Sequence, residues 1–240
     1  MFISDLIIKD KAPMALDDLF LEPDTRKQFD QLIKEHGYSQ ELASYGLPLS
    51  NKVLLHGSSG CGKTATAKAI AAALGKEILI LNLSNVTSAR MGETAQNIKM
   101  VFDRAIKDKA VLFLDEFDQI AKLRSLEDRD VGEMRRLVTS IIQLIDYYPQ
   151  DALLICATNH LSFIDPAIVR RFELVVGYNM PSPTILDEYY EKLLSPFPPD
   201  LRGVKRIYET SFAQAKDHTL KAVKAILIEQ LDQQSKLKQT

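Results

Sequence analysis

From residue 50 onward the sequence predicts an α/β fold: a five-stranded parallel sheet flanked by helices, with a small helical domain at its C-terminal end. Three observations carry that prediction. Five short β-rich apolar runs, "KVLLH", "EILILNL", "AVLFLD", "ALLICATN" and "ELVVGY", alternate with helical patterns, the order that parallel strands joined by helical crossovers require. The strands stop after Tyr178. Beyond it the apolar spacing is helical alone.

The elements follow in order. "TRKQFDQLIKEHGYSQELASYG" reads as helical and ends at Gly46, so residues 1–45 are taken as a helical lead-in to an α/β domain over 46–180. After the first strand, "TATAKAIAAALG" is a helix closed by Gly75. "TAQNIKMVFDRAIK" and "VGEMRRLVTSIIQLID" place apolar residues three and four apart, as helices packed on a sheet do. In "DPAIVRRFE", Asp165 can cap a short helix, Pro166 suits its first turn, and Arg170 and Arg171 fall at its far end. The two prolines of "NMPSPTILDEYY" mark a boundary into a second domain, 181–240. There "TILDEYYEKLL" and "SFAQAKDHTLKAVKAILIEQL" are helices, the last with Leu220, Val223, Leu227 and Leu231 on one stripe.

Composition narrows the function classes. A chain of 240 residues with 46% hydrophobic content can bury one sizeable core and a smaller appended one. A formal net charge of -2 argues against a surface built to neutralise nucleic-acid backbones or anionic lipid. Cys61 and Cys156 are too few for a disulfide framework and suit a reducing, cytoplasmic compartment. Asp5 breaks the apolar stretch of "MFISDLIIKD" with no basic region before it, so no signal peptide is expected. No apolar run approaches the roughly 18 residues of a membrane span. The histidines, His36, His56, His160 and His218, show no metal-ligand spacing with either cysteine.

Chemistry enters at "KVLLHGSSGCGKTATAKAI", which sets G-x-x-x-x-G-K-T, Gly57 to Thr64, between a strand and a helix. Gly57, Gly60 and Gly62 let the backbone curl until its N–H groups face phosphate oxygens beside the positive end of the helix dipole. Ser58, Ser59, Cys61 and Ala65 complete the loop and the first helical turn. Lys63 can reach the β- and γ-phosphates as a point charge, and the Thr64 hydroxyl can ligate Mg²⁺. An ordinary glycine-rich strand-to-helix turn is the competing reading. Cys61 is either a redox-sensitive thiol or a small filler.

A phosphate loop alone does not choose between a kinase, a GTPase, a helicase and a motor. The strand "VLFLDEFDQI" ends in Asp115 and Glu116, so the first carboxylate can hold Mg²⁺ through its waters and the second can orient and polarise an attacking water. Asp118, one turn on, reads as structural. "ALLICATN" ends in Asn159, at the carboxyl end of a buried strand where ligands of parallel sheets lie; its amide can donate to the γ-phosphate or to the same water, or cap a helix. Arg170 and Arg171 either serve their own helix terminus or reach a phosphate held by a neighbouring subunit, which demands a head-to-tail assembly.

With these residues in place the chain resembles the AAA ATPases, from about residue 16 to the end. "GSSGCGKT" looks like their Walker A, "VLFLDE" like Walker B, "ATN" like sensor 1, and "DPAIVRRFE" like the stretch that carries arginine fingers. "MGETAQNIKMVFDRA" is similar to their G-E-x-x-x-N region, and small single-module bacterial members, some encoded beside subtilisin-like proteases, look closest. The resemblance implies Mg²⁺-dependent ATP hydrolysis at the subunit interfaces of a ring, usually a hexamer, with the helical domain as a nucleotide-responsive lid and a macromolecule, expected to be a protein client, as the target of its motion.

Departures from the pattern leave other outputs open. Arg90 and Met91 stand where threading relatives carry a pore aromatic, Tyr147 replaces a glycine used in contacts between subunits, and Phe212 replaces the glycine of the lid's S-G-A segment. The finger arginines, separated by two intervening residues in well-known members, are adjacent here. The charged stretch Lys122–Arg136 is a solvated loop, or a second pore loop with Arg135 or Arg136 touching a neighbour. Three outputs stay open: a motor that remodels a protein, an ATP-gated module that holds an effector such as a partner protease, and a DNA-directed ATPase, for which the sequence shows no stacking surface of aromatic and basic residues.

Overall fold

The computed structural model describes residues 7–8, 14–83, 91–119 and 131–237. Arg90 of the expected pore loop and most of the charged stretch Lys122–Arg136 lie outside them. The sheet holds six strands in the order β1-β3-β4-β5-β2-β6. The five expected strands are β2 (Lys52–Gly57), β3 (Ile78–Asn82), β4 (Val111–Asp115), β5 (Leu154–Thr158) and β6 (Leu174–Tyr178), all parallel. The sixth, β1 (Ile7–Ile8), was not expected. It lies antiparallel on the edge strand, Ile7 opposite Leu81 and Ile8 opposite Ile80, where two β-branched residues satisfy backbone groups that an open edge leaves unpaired.

Strands β3, β4 and β5 are apolar and buried on both faces, whereas β6 alternates, burying Val176 and Tyr178 and exposing Val175. Leu54, Leu79, Leu112, Leu114 and Leu154 join one core with Ile98, Val101 and Phe102 of α4 (Met91–Lys107) and Leu137, Val138 and Ile141 of α5 (Val131–Asp146). The alternate residues Val53, Leu55, Ile80, Phe113 and Ile155 are just as buried but point the other way. Helix α3 (Lys63–Ala73) packs on β3, β4 and β5. Burying each large apolar side chain here is worth about 1.5–3 kcal/mol.

Local chemistry sets the helix ends. Helix α3 stops where Gly75 enters the left-handed region at φ 64°, and Lys76 N–H then donates to Ala71 O while Gly75 N–H donates to Ala72 O, which satisfies carbonyls the helix leaves open. Helix α1 (Pro23–Gly37) begins on a proline and buries Phe29 and Leu32; α2 (Ser39–Ser44) leads to Gly46, φ 68°. The single-turn α6 (Pro166–Val169) is capped as expected, the Asp165 carboxylate accepting from Ala167 N–H at 2.8 Å.

Contacts divide the chain into two compact units, 1–57 with 63–178, and 58–62 with 179–240. In the second, α7 (Pro183–Leu194) and α8 (Phe212–Leu237) enclose two small cores, Leu186, Tyr190 and Ala215 in one and Leu194, Leu201 and Val223 in the other. Phe212 stacks edge-on against Tyr189 with ring centroids 5.0 Å apart, so the residue that departs from the family's glycine helps fill the first of these cores. The apolar stripe expected on the last helix is buried only at Val223; Leu220, Leu227 and Leu231 are exposed. The buried clusters engage α8 no further along than Ile226, and the helix continues beyond its partners. No helix among the described residues is long and apolar enough to cross a membrane.

Candidate functional site

Five of the residues singled out in the sequence, Lys63, Thr64, Asp115, Glu116 and Asn159, lie at the carboxyl ends of β4, β5 and β2 or just beyond them, three neighbours in the sheet. Gly57 ends β2 at φ 129°, and a Cβ there would fall 2.0 Å from Tyr178 O. Only glycine lets β2 turn away so close to β6. Gly60 and Gly62 continue the curl at φ 76° and φ 104°. The loop tip, Ser58–Gly62, groups with the second unit, where Ala213 N–H donates to Gly60 O at 3.2 Å and a Cβ on Gly60 would meet Ser211 Oγ at 2.7 Å. Cys61 is buried within this unit, its Sγ 3.9 Å from Met180 Sδ.

Lys63, the first residue of α3, is 7% exposed. Its Nζ donates to Gly57 O at 2.7 Å and to Asn159 Oδ1 at 2.8 Å. A lysine ammonium only donates, so the Asn159 amide turns its oxygen toward Lys63 and keeps its NH₂ as a donor. Asn159 itself directly follows β5, exposed to solvent. Thr64 Oγ1 lies 3.5 Å from Asp115 Oδ2, and Ala65 follows in the same helical turn.

Asp115 ends β4, and its Oδ1 accepts the Glu116 N–H at 2.9 Å. Glu116 then adopts φ 54°, a left-handed conformation that non-glycine residues rarely take. Phe117 N–H donates to Ala157 O at 2.8 Å, and the buried Phe117 ring meets Phe172 edge-on, which holds the bend from its far side. Among the described residues the Glu116 carboxylate has no hydrogen-bond partner.

One positioning contact was not legible in the sequence beyond the structural reading of Asp118. That carboxylate is buried, and Thr158 Oγ1 donates to it at 3.0 Å while accepting the His160 N–H at 3.0 Å. The bond ties the turn after β4 to the end of β5, one residue before Asn159. His56, at the end of β2, lies against Gly177, and burial followed by the Lys63 ammonium holds its imidazole below the usual histidine range.

The two arginines do not join this group. Arg170 is exposed at the end of α6, whereas Arg171 Nε donates to Asp146 Oδ1 at 2.5 Å. Neither forms a hydrogen bond with Lys63, Asp115, Glu116 or Asn159.

Comparison with known proteins bears on the family and the fold. The family model "ATPase family associated with various cellular activities (AAA)" matches residues 53–180. A Sinorhizobium fredii protein called "Uncharacterized AAA family ATPase y4kL" is 34% identical over 206 residues, covering 84% of this chain and 62% of its own length. A "Putative cell division cycle ATPase" of Plasmodium falciparum is 35% identical over 138 residues, 56% of this chain and 11% of that protein. The chain thus spans less than two thirds of either relative. Two crystal structures of the FIGL-1 AAA domain share the fold: one has a TM-score of 0.70 at 20% identity, covering 89% of this chain and 72% of that one. The second, in complex with ADP, has a TM-score of 0.71 at 20% identity, with 89% and 73% covered. Since the family model spans more than half of the sequence and its ends coincide with β2 and the close of the sheet, the chain belongs to the AAA family of ATPases.

Proposed function

We propose that this chain binds ATP at Gly57–Thr64 and hydrolyses it with Mg²⁺ at the interfaces of an oligomeric ring, and that the motion remodels a protein partner. The observation that carries this reading is the convergence of Lys63, Asn159, Thr64, Asp115 and Glu116 at three adjacent strand ends. The names of the relatives and the ADP complex of the FIGL-1 AAA domain support nucleotide chemistry on this fold.

Each residue has a part its surroundings suit. The loop N–H groups and Lys63 bind the triphosphate, Lys63 exchanging Gly57 O and Asn159 for phosphate oxygens. Asn159 is then free to donate through its NH₂ to the γ-phosphate or to the attacking water. Glu116, whose carboxylate has no hydrogen-bond partner among the described residues, orients that water and takes up its proton as the γ-phosphoryl group leaves ADP. Thr64 and Asp115 present a hydroxyl and a carboxylate 3.5 Å apart, hard oxygen donors that fit a small dication retaining most of its waters. When bound, Mg²⁺ supplies neutralisation of charge on the β- and γ-oxygens.

A Glu116→Gln variant tests the reading, because it keeps the shape of the site and removes only the base. It is expected to bind ATP as tightly as the parent while kcat falls by about 10²-fold or more. Turnover at the parent's rate would remove Glu116 from the mechanism.

A further inference from the structure

The connections that lead into β2, β3, β4 and β5 meet at the amino-terminal ends of these strands, the end of the sheet opposite the phosphate loop. Between them lies a cleft of about 750 Å³, a size at which ligand sites are found. Leu47, Pro48 and Leu49 before β2 and Ile106 of α4 give it apolar walls, Leu47 being 54% and Ile106 37% exposed. Lys76, just before β3, and Lys109, just before β4, add two ammonium groups. A strand of five residues is roughly 17 Å long, so an occupant here leaves the nucleotide site untouched.

Lys109 adopts a backbone conformation that suits glycine. Helices α3 and α4 end in the same turn: Gly75 N–H donates to Ala72 O and Lys76 N–H to Ala71 O, as Lys109 N–H donates to Ile106 O and Ala110 N–H to Ala105 O. That turn requires one left-handed residue. In the first case it is Gly75, φ 64°, and in the second it is Lys109, φ 51°. Strained residues of this kind gather at functional sites, and the left-handed Glu116 stands just past the far end of the same strand β4. Nothing that Lys109 touches explains its strain. Among the described residues, neither Lys76 nor Lys109 commits its ammonium to a hydrogen bond or an ion pair.

The rest of the polar lining selects the ligand. Gln40, Gln150 and Asp151 also form no side-chain hydrogen bond or ion pair among the described residues. Together they offer amide donors, amide acceptors and one carboxylate acceptor. A phosphodiester backbone only accepts, and it meets Asp151 as a like charge. A peptide brings both N–H donors and C=O acceptors. We propose that this cleft docks a short segment of a partner protein that sets one or two carboxylates beside leucine-like side chains. The carboxylates pair with Lys76 and Lys109, and the apolar groups lie against Leu47, Pro48 and Ile106. Docking there does not depend on hydrolysis at the other end of the sheet.

The test uses the full chain and an array of synthetic hexapeptides that combine leucine with glutamate, glutamine or lysine in every order, with Kd in solution by fluorescence anisotropy for those bound. Peptides of glutamate and leucine are expected to bind, and their glutamine counterparts to bind about 10-fold more weakly, the worth of two exposed ion pairs. Lys76→Gln combined with Lys109→Gln should cost the acidic peptides the same factor of about 10 while ATP affinity stays at the parent value. The strain gives an independent readout. Lys109→Gly is expected to raise the urea midpoint, because glycine takes φ 51° with no Cβ to resist it, and to weaken peptide binding. A lowered midpoint would mean that this lysine serves the fold, and the proposal would fall. It falls equally if no peptide of glutamate and leucine binds, if binding shows no preference for glutamate, or if the double variant binds as the parent does. A single-stranded oligonucleotide bound by the parent and lost by the double variant, with no acidic peptide bound, assigns the cleft to nucleic acid and overturns the peptide assignment.

Discussion

A left-handed Glu116 costs about 1–3 kcal/mol of local strain, and its immediate neighbours explain how the chain sustains it. Asp115 holds its N–H, and Phe117 is fixed on the other side by Ala157 O and by Phe172. The result is a carboxylate that leaves the sheet on a rigid bend instead of a free loop. Titration at single residues is also decided by surroundings. Burial pushes the His36 imidazole below its ordinary range, the Lys76 charge acts in the same direction, and the contact with Ser50 O and the charge of Glu35 oppose them. Because the folded value lies below the unfolded one of about 6.5, the neutral ring favours the native state. That stabilisation is fully present above about pH 6.5 and is lost as pH falls toward the folded value. The urea midpoint is therefore expected to drop between pH 7 and pH 5, and to drop less in His36→Gln. An equal slope in that variant would assign the effect elsewhere, with His56, shifted the same way by burial and by Lys63, as the next candidate.

At the scale of elements, the buried Asp118–Thr158 bond is the joint between the turn that carries Glu116 and the strand end that carries Asn159. Removing the carboxylate in Asp118→Ala is expected to destabilise the fold by about 1–3 kcal/mol, the cost of leaving a buried hydrogen-bonding group without its partner. It should also lower kcat with little change in ATP affinity, since Lys63 and the loop are untouched; equilibrium unfolding and steady-state kinetics check both. Such joints mark where the sequence became illegible. The five parallel strands were readable because apolar runs report burial directly, and the phosphate loop was readable because its glycines, lysine and threonine sit within eight residues, Gly57–Thr64. Thr158 with Asp118, and Asp146 with Arg171, are 40 and 25 positions apart, and no local pattern says which acid a given partner will meet. Strand β1 escaped for another reason: two isoleucines are too short a run to show a period, and only the open edge of β3 makes them a strand. The α8 stripe misled because helical spacing reports one face, not whether anything covers it.

For the whole molecule, the proposed function pairs Arg170, which has no acceptor among the described residues, with the phosphate loop of another copy. Under the proposed hydrolysis between subunits, these groups would meet only head to tail, and an isolated subunit would hold an incomplete site. Specific activity is expected to rise with protein concentration across the range in which light scattering shows association, and to level off once association is complete. Subunit mixing makes the claim quantitative. Lys63→Ala copies keep Arg170 but lack a working loop, and Arg170→Ala copies keep the loop but lack the cation, so each is inactive alone. Mixed in equal amounts at random, an interface works only when an intact loop faces an intact finger, a chance of about one half for each, hence about one quarter of the parent rate if interfaces act independently. A rate near that quarter establishes action between subunits; in rings shown to contain both variants, a rate no higher than either parent variant assigns Arg170 to its own subunit instead.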